Sequence, residues 1–145
     1  MPLPARVEGL SQPDLVVQAL YTPSADHFWR RAGDFGALAS WHPHVQACRQ
    51  RGSKRSFNLL DGRVIHERLL PSKGPHQLRY TRVDGPFRYE AELSAHDDQP
   101  GLACVRWSVR LGAGPDDPEL RAIACAGLRE FFVAGLEAVG CESIE

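Results

Sequence analysis

Apolar residues recur at helical spacing between Asp116 and Gly140: Leu120, Ile123, Ala124, Leu128, Phe131, Phe132, Leu136 and Val139. Arg121, Arg129, Glu130 and Glu137 fall mostly off that stripe. Asp117 is a good N-cap, Pro118 suits the first helical position and Gly140 offers a stop, so the stretch predicts one long C-terminal helix. The centre of its apolar face holds Leu120, Ala124, Gly127, Phe131, Ala134, Gly135 and Ala138, which are mostly small. A glycine inside a helix costs ~1 kcal/mol relative to alanine. Two of them on one face leave two readings open: close contact with a partner layer, or space left empty beneath the helix.

Upstream, the pattern is mostly that of strands. Leu15 to Tyr21 is β-rich and stops at Thr22-Pro23, after which Ser24 can cap a short helix through Arg31. A second helical turn runs from Phe35 to Ser40. Further strands are expected at Val45 to Arg51, Arg55 to Leu60, Arg63 to Leu70, His76 to Val83, from Tyr89 onward, and at Leu102 to Leu111, with Asp97 to Gly101 as a polar loop. Tyr89, Ala91, Leu93 and Ala95 alternate with Glu90, Glu92, Ser94 and His96. Ala103, Val105, Trp107, Val109 and Leu111 alternate with Cys104, Arg106, Ser108 and Arg110.

The Asp61-Gly62 turn sets which side chains face inward. A three-residue loop with Gly62 left-handed puts Phe57, Leu59, Ile65, Glu67 and Leu69 on one face. A two-residue loop puts His66 and Val64 there in place of Glu67 and Ile65. The first is preferred, because it buries Ile65 and Leu69 and leaves Arg68 outside. The layout is α+β: a curved antiparallel sheet of about seven strands wrapped on the long helix, with two short helices after the first strand. Residues 1–13 read as a loose leader and 14–145 as one domain.

Composition narrows the partners. The chain of 145 residues has a net charge of −1 and no basic run or acidic tail, which argues against nucleic acid or anionic membrane. No stretch approaches the ~20 apolar residues of a membrane span, and the N-terminus lacks a signal-peptide core. A cytoplasmic protein is expected. Cys48, Cys104, Cys125 and Cys141 form no CxxC pair, so they read as buried reduced thiols. His42 and His44 form an H-x-H pair without a third ligand at convincing spacing, so no metal and no cofactor are expected.

Residues 34–48 (DFGALASWHPHVQAC) resemble the segment after the first helix in the START-like, or SRPBCC, ligand-binding superfamily, most closely its polyketide cyclase/dehydrase-like branch. Arg55 with Leu59-Leu60-Asp61-Gly62, then Glu67-Arg68-Leu69, Gly85-Pro86-Phe87 before Tyr89, Trp107 and the long helix extend the resemblance over about residues 14–140. It implies a helix-grip fold around a cavity for lipids, polyketides or other hydrophobic small molecules. The chain is similar, more distantly, to plant abscisic acid receptors. There His42 falls on a cavity lysine, Glu67 on a cavity glutamate and Tyr89 on a cavity tyrosine. The gating loop of those receptors is replaced here by the Asp61-Gly62 turn, so a switch of that type is not expected.

The candidate binding residues are His42, Phe57, Leu59, Ile65, Glu67, Tyr80, Arg82, Tyr89, Leu93, Trp107, Ala124, Leu128 and Phe131. Glu67 carries the sharpest chemistry. Pointing inward, it is a polar anchor or a general acid/base, with Arg82 as its candidate partner and His42 at the cavity rim. Pointing outward, it is a solvated strand residue. Two functions stay open: a carrier of a hydrophobic small molecule, or a cyclase/dehydratase-like enzyme with Glu67 and His42 as catalytic groups. Whether the chain forms a homodimer is also open.

Overall fold

The computed structural model describes residues 9–145. The elements are β1 (Leu15–Tyr21), α1 (Ala25–Ala32), a 3-10 helix (Phe35–Ser40), β2 (Val45–Arg51), β3 (Lys54–Leu59), β4 (Val64–Leu70), β5 (Gln77–Arg82), β6 (Tyr89–Gln99), β7 (Leu102–Leu111) and α2 (Pro118–Val139). All seven strands form one antiparallel sheet in the order β1-β7-β6-β5-β4-β3-β2. The first two strands in sequence thus lie at opposite edges, and α1 with the 3-10 helix carries the chain between them. This is the α+β helix-grip arrangement that the alternating strands and the final helix imply.

The caps are those the sequence offers. Ser24 accepts from His27 N at the start of α1, Asp117 accepts from Glu119 N at the start of α2, and Gly140 ends α2 in the left-handed region at φ 106°. The β3–β4 hairpin has the three-residue loop. Leu59 N donates to Arg63 O (2.8 Å), Gly62 sits at φ 93°, and Phe57 lies opposite Ile65 while Arg55 lies opposite Glu67. Arg55, Phe57, Leu59, Ile65 and Glu67 are accordingly buried on one face.

Four features depart from the sequence pattern. The polar stretch 97–101 is mostly ladder: β6 runs on to Gln99, with a bulge at Asp98 and Gly101 taking the left-handed turn position. On the outer face Glu92 and Ser108 are buried, where alternation predicted solvent. Burial raises the Glu92 carboxyl above its usual pKa. Within the expected leader, Leu10 is buried and Gly9 lies against the Arg106 guanidinium, so residues 9 and 10 run over that outer face; residues 1–8 lie outside the described residues.

The fourth departure concerns α2. Its buried residues are Phe132, Gly135, Leu136 and Val139, all in the C-terminal half. Phe132 stacks on Trp107 with ring centroids 4.2 Å apart, and the segment after α2 pairs with β1 through Leu20 and Glu142. The N-terminal half has no buried residue, and Leu120 and Ile123 are exposed. The helix is held at one end and stands off the sheet at the other. No described helix is long and apolar enough to cross a membrane.

Candidate ligand site

Beneath the raised half of α2 lies a hollow of about 550 Å³. Phe57, Leu59 and Ile65 of the β3–β4 hairpin form one wall, and Ala124, Gly127, Leu128 and Phe131 of α2 form the roof. Leu120, Ile123, Pro86 and Phe87 stand at its margin. The two central glycines of α2 divide the alternatives between them. A Cβ built on Gly127 meets nothing within 4 Å, whereas one on Gly135 sits 2.6 Å from His42 Cδ2 and 3.0 Å from Trp41 Cζ3. Gly127 borders empty space and Gly135 permits close packing.

The polar floor of the hollow is a buried network. Arg55 Nε and Nη2 donate to Glu67 Oε1 at 2.9 and 2.6 Å, Arg55 Nη1 donates to Phe35 O at 2.8 Å, and the Tyr89 hydroxyl donates to Glu67 Oε2. Arg55 and Glu67 are only 5% and 2% exposed. The guanidinium also lies 4.0 Å from the Phe35 ring centroid and 4.7 Å from that of Tyr80, a cation–π cage. Burial works against the Arg55 charge, but the facing Glu67 carboxylate holds its pKa above the usual value. Trp107 Nε1 donates to the Tyr80 hydroxyl at 2.9 Å. Burial pushes both Tyr80 and Tyr89 above the usual phenol range, so both hydroxyls stay protonated at neutral pH.

The partner of Glu67 is therefore Arg55, not Arg82. In register Glu67 lies between the two, with Arg55 opposite on β3 and Arg82 opposite on β5. Arg82 instead turns to Asp84, two residues further on, with Nε 3.1 Å from Oδ1. It still borders the hollow. Arg55 was absent from the expected site, although its place opposite Glu67 follows from the three-residue loop.

Of the thirteen candidate residues, ten line the hollow: Phe57, Leu59, Ile65, Glu67, Tyr80, Arg82, Tyr89, Ala124, Leu128 and Phe131. Leu93 and Trp107 are fully buried in the core behind it. His42 lies behind Phe131 rather than at a rim: their rings stack at 3.8 Å and His42 Nε2 is 2.7 Å from Phe131 O. His44 N donates to His42 Nδ1 at 3.1 Å, so Nδ1 is the acceptor and Nε2 carries the proton. Burial lowers the pKa of His42 from 6.5 to about 4. Both ring nitrogens hold the backbone in place, which leaves none for a ligand or for a metal shared with the exposed His44.

A second groove, of about 710 Å³, borders the other side of the same hairpins but is walled by Arg49, Lys54, His66 and Arg68. The hollow under α2 has the apolar walls and few convergent polar groups expected of a small-molecule site.

Curved sheet, gripping helix and hollow together define the START-like class of folds. The chain belongs to the polyketide cyclase / dehydrase and lipid transport family, whose family model matches residues 15–142. No curated protein matches the chain in sequence. Among solved structures it is similar to the protein XoxI from Bacillus cereus, at 20% identity and TM-score 0.76 over 86% of this chain and 91% of that one. It is also similar to a START superfamily protein from Mycobacterium smegmatis, at 18% identity and TM-score 0.61 over 85% and 93%. The Zhui aromatase/cyclase from Streptomyces sp. R1128 matches at 15% identity and TM-score 0.63 over 86% and 90%. Identities this low bear on the fold alone.

Proposed function

We propose that this protein binds a hydrophobic small molecule of lipid, polyketide or aromatic type in the hollow between sheet and α2. The observation that carries this reading is the pairing of an apolar hollow with one buried polar floor. Phe57, Leu59, Ile65, Leu128 and Phe131 would cover the apolar body of the ligand, and Glu67, Tyr89 and Tyr80 would meet its polar end. The Tyr80 hydroxyl accepts from Trp107 and keeps its own proton to offer.

A second reading, a cyclase/dehydratase-like enzyme with Glu67 as acid/base, draws on the family description and on the buried Tyr89–Glu67 hydrogen bond. The network favours binding over turnover. Arg55 donates twice to one Glu67 oxygen and Tyr89 donates to the other, which leaves little of the carboxylate free to take a substrate proton.

Native mass spectrometry of protein purified from its own host, followed by the same measurement on Glu67→Gln, tests the reading. The expected result is a co-purifying apolar molecule that Glu67→Gln retains with modest loss. A variant that holds the molecule but no longer converts it would establish the enzyme reading instead. A chain that carries nothing and binds no apolar probe would overturn both.

A further inference from the structure

Outside the hollow, at the far end of the β6–β7 hairpin, His96, Asp98 and Cys104 converge. One ligand atom from each, a ring nitrogen, a carboxylate oxygen and the sulfur, lies within 4.8 Å of the other two. His96 and Cys104 are directly opposite in the antiparallel register, and the bulge between Asp97 and Gln99 brings Asp98 to the same place. The strand between Tyr89, on the floor of the hollow, and His96 spans roughly 23 Å at about 3.3 Å per residue. The cluster is separate from the ligand site.

We propose that His96, Asp98 and Cys104 form a binding site for one divalent transition ion of the zinc type. Thiolate, imidazole and carboxylate are the three donor classes such ions take, and three protein ligands leave a fourth tetrahedral position for water. Metal–ligand bonds of about 2.0–2.3 Å place tetrahedral donors roughly 3.3–3.8 Å apart. Closing from 4.8 Å asks for about one ångström, within reach of side-chain rotation on a fixed hairpin. A second observation supports it: His96 Nε2 is buried and has no hydrogen-bond partner among the described residues. A buried imidazole nitrogen needs such a partner, and an ion supplies one. Asp98 is exposed and also borders a surface cleft of about 350 Å³ reaching Pro23 and Ser24, which gives an ion its way in. The neighbouring Asp97 accepts from Ala25 N at the start of α1 (2.8 Å), so an ion here would also brace the junction of hairpin and helix.

Cobalt(II) titration of the full chain, reduced and free of chelators, is the test. The expected result is a saturable thiolate-to-cobalt absorption at one ion per chain, displaced by zinc and accompanied by a rise in melting temperature. Cys104→Ser abolishes the band, while Cys48→Ser and Cys125→Ser leave it unchanged. His96→Gln and Asp98→Asn weaken binding about 10-fold or more, since even the outer partners of metal ligands are worth that much. Asp98 is exposed, so its variant reports on the site even where Cys104→Ser does not fold. No saturable band in the unsubstituted chain, a band that survives Cys104→Ser, or affinity unchanged in both His96→Gln and Asp98→Asn would each overturn the proposal.

Discussion

At the scale of single residues, the buried charge pair governs the site. Removing one member of a buried ion pair typically costs ~3–5 kcal/mol, because the other charge is left unpaired, whereas replacing both with apolar groups costs far less. Arg55→Met and Glu67→Met should each destabilise by that order, and the double variant by clearly less than their sum in a urea-unfolding cycle. Additive losses would mean the two groups do not act as a pair. His42 predicts a pH dependence. Its native pKa lies below the ordinary 6.5, at about 4, so the unfolded chain takes up a proton that the folded chain refuses. Stability from this group is present above pH 6.5 and is lost as pH falls toward about 4, by up to ~3 kcal/mol. His42→Gln should flatten the urea-unfolding profile in that window; an unchanged slope would place the titration elsewhere. The alternation of Phe57, Ile65 and Leu69 made the inward register of Glu67 legible from sequence. Which arginine it meets was not, since register sets both Arg55 and Arg82 beside it and only the nearby Asp84 decides between them. The role of His42 was hidden for a related reason: its partner Phe131 lies 89 positions away.

At the scale of elements, α2 is two half-helices with different work. Periodicity read its ends and its apolar stripe, but not that the stripe is buried only from Phe132 onward, because that depends on where the sheet curves away. Its glycines test the division. Gly127→Ala places a methyl in open space and should stabilise by up to ~1 kcal/mol through helix propensity. Gly135→Ala drives a methyl against His42 and Trp41, and overpacking of ~1–3 kcal/mol should outweigh that gain. Thermal melting of the two variants should therefore move in opposite directions, and a shift of the same sign would contradict the division. The β6–β7 hairpin teaches a complementary lesson. His96 and Cys104 are eight positions apart and matched no spacing motif; only pairing across the strands, with the bulge at Asp98, joins them.

At the scale of the whole molecule, a seven-stranded sheet and a helix anchored at one end leave a chamber that side chains do not fill. Close packing is the usual state of a protein interior, so the hollow of about 550 Å³ with polar groups gathered on its floor is the feature on which the proposed ligand binding rests. The most direct measurement is a fluorescence titration with the apolar probe 1-anilinonaphthalene-8-sulfonate, comparing the unsubstituted chain with Gly127→Trp, whose indole would project from the roof into the chamber. Saturable binding of one probe per chain, lost in Gly127→Trp while the melting temperature is held, is the predicted result. Absence of saturable binding, or equal affinity in both proteins, would contradict a ligand chamber beneath α2.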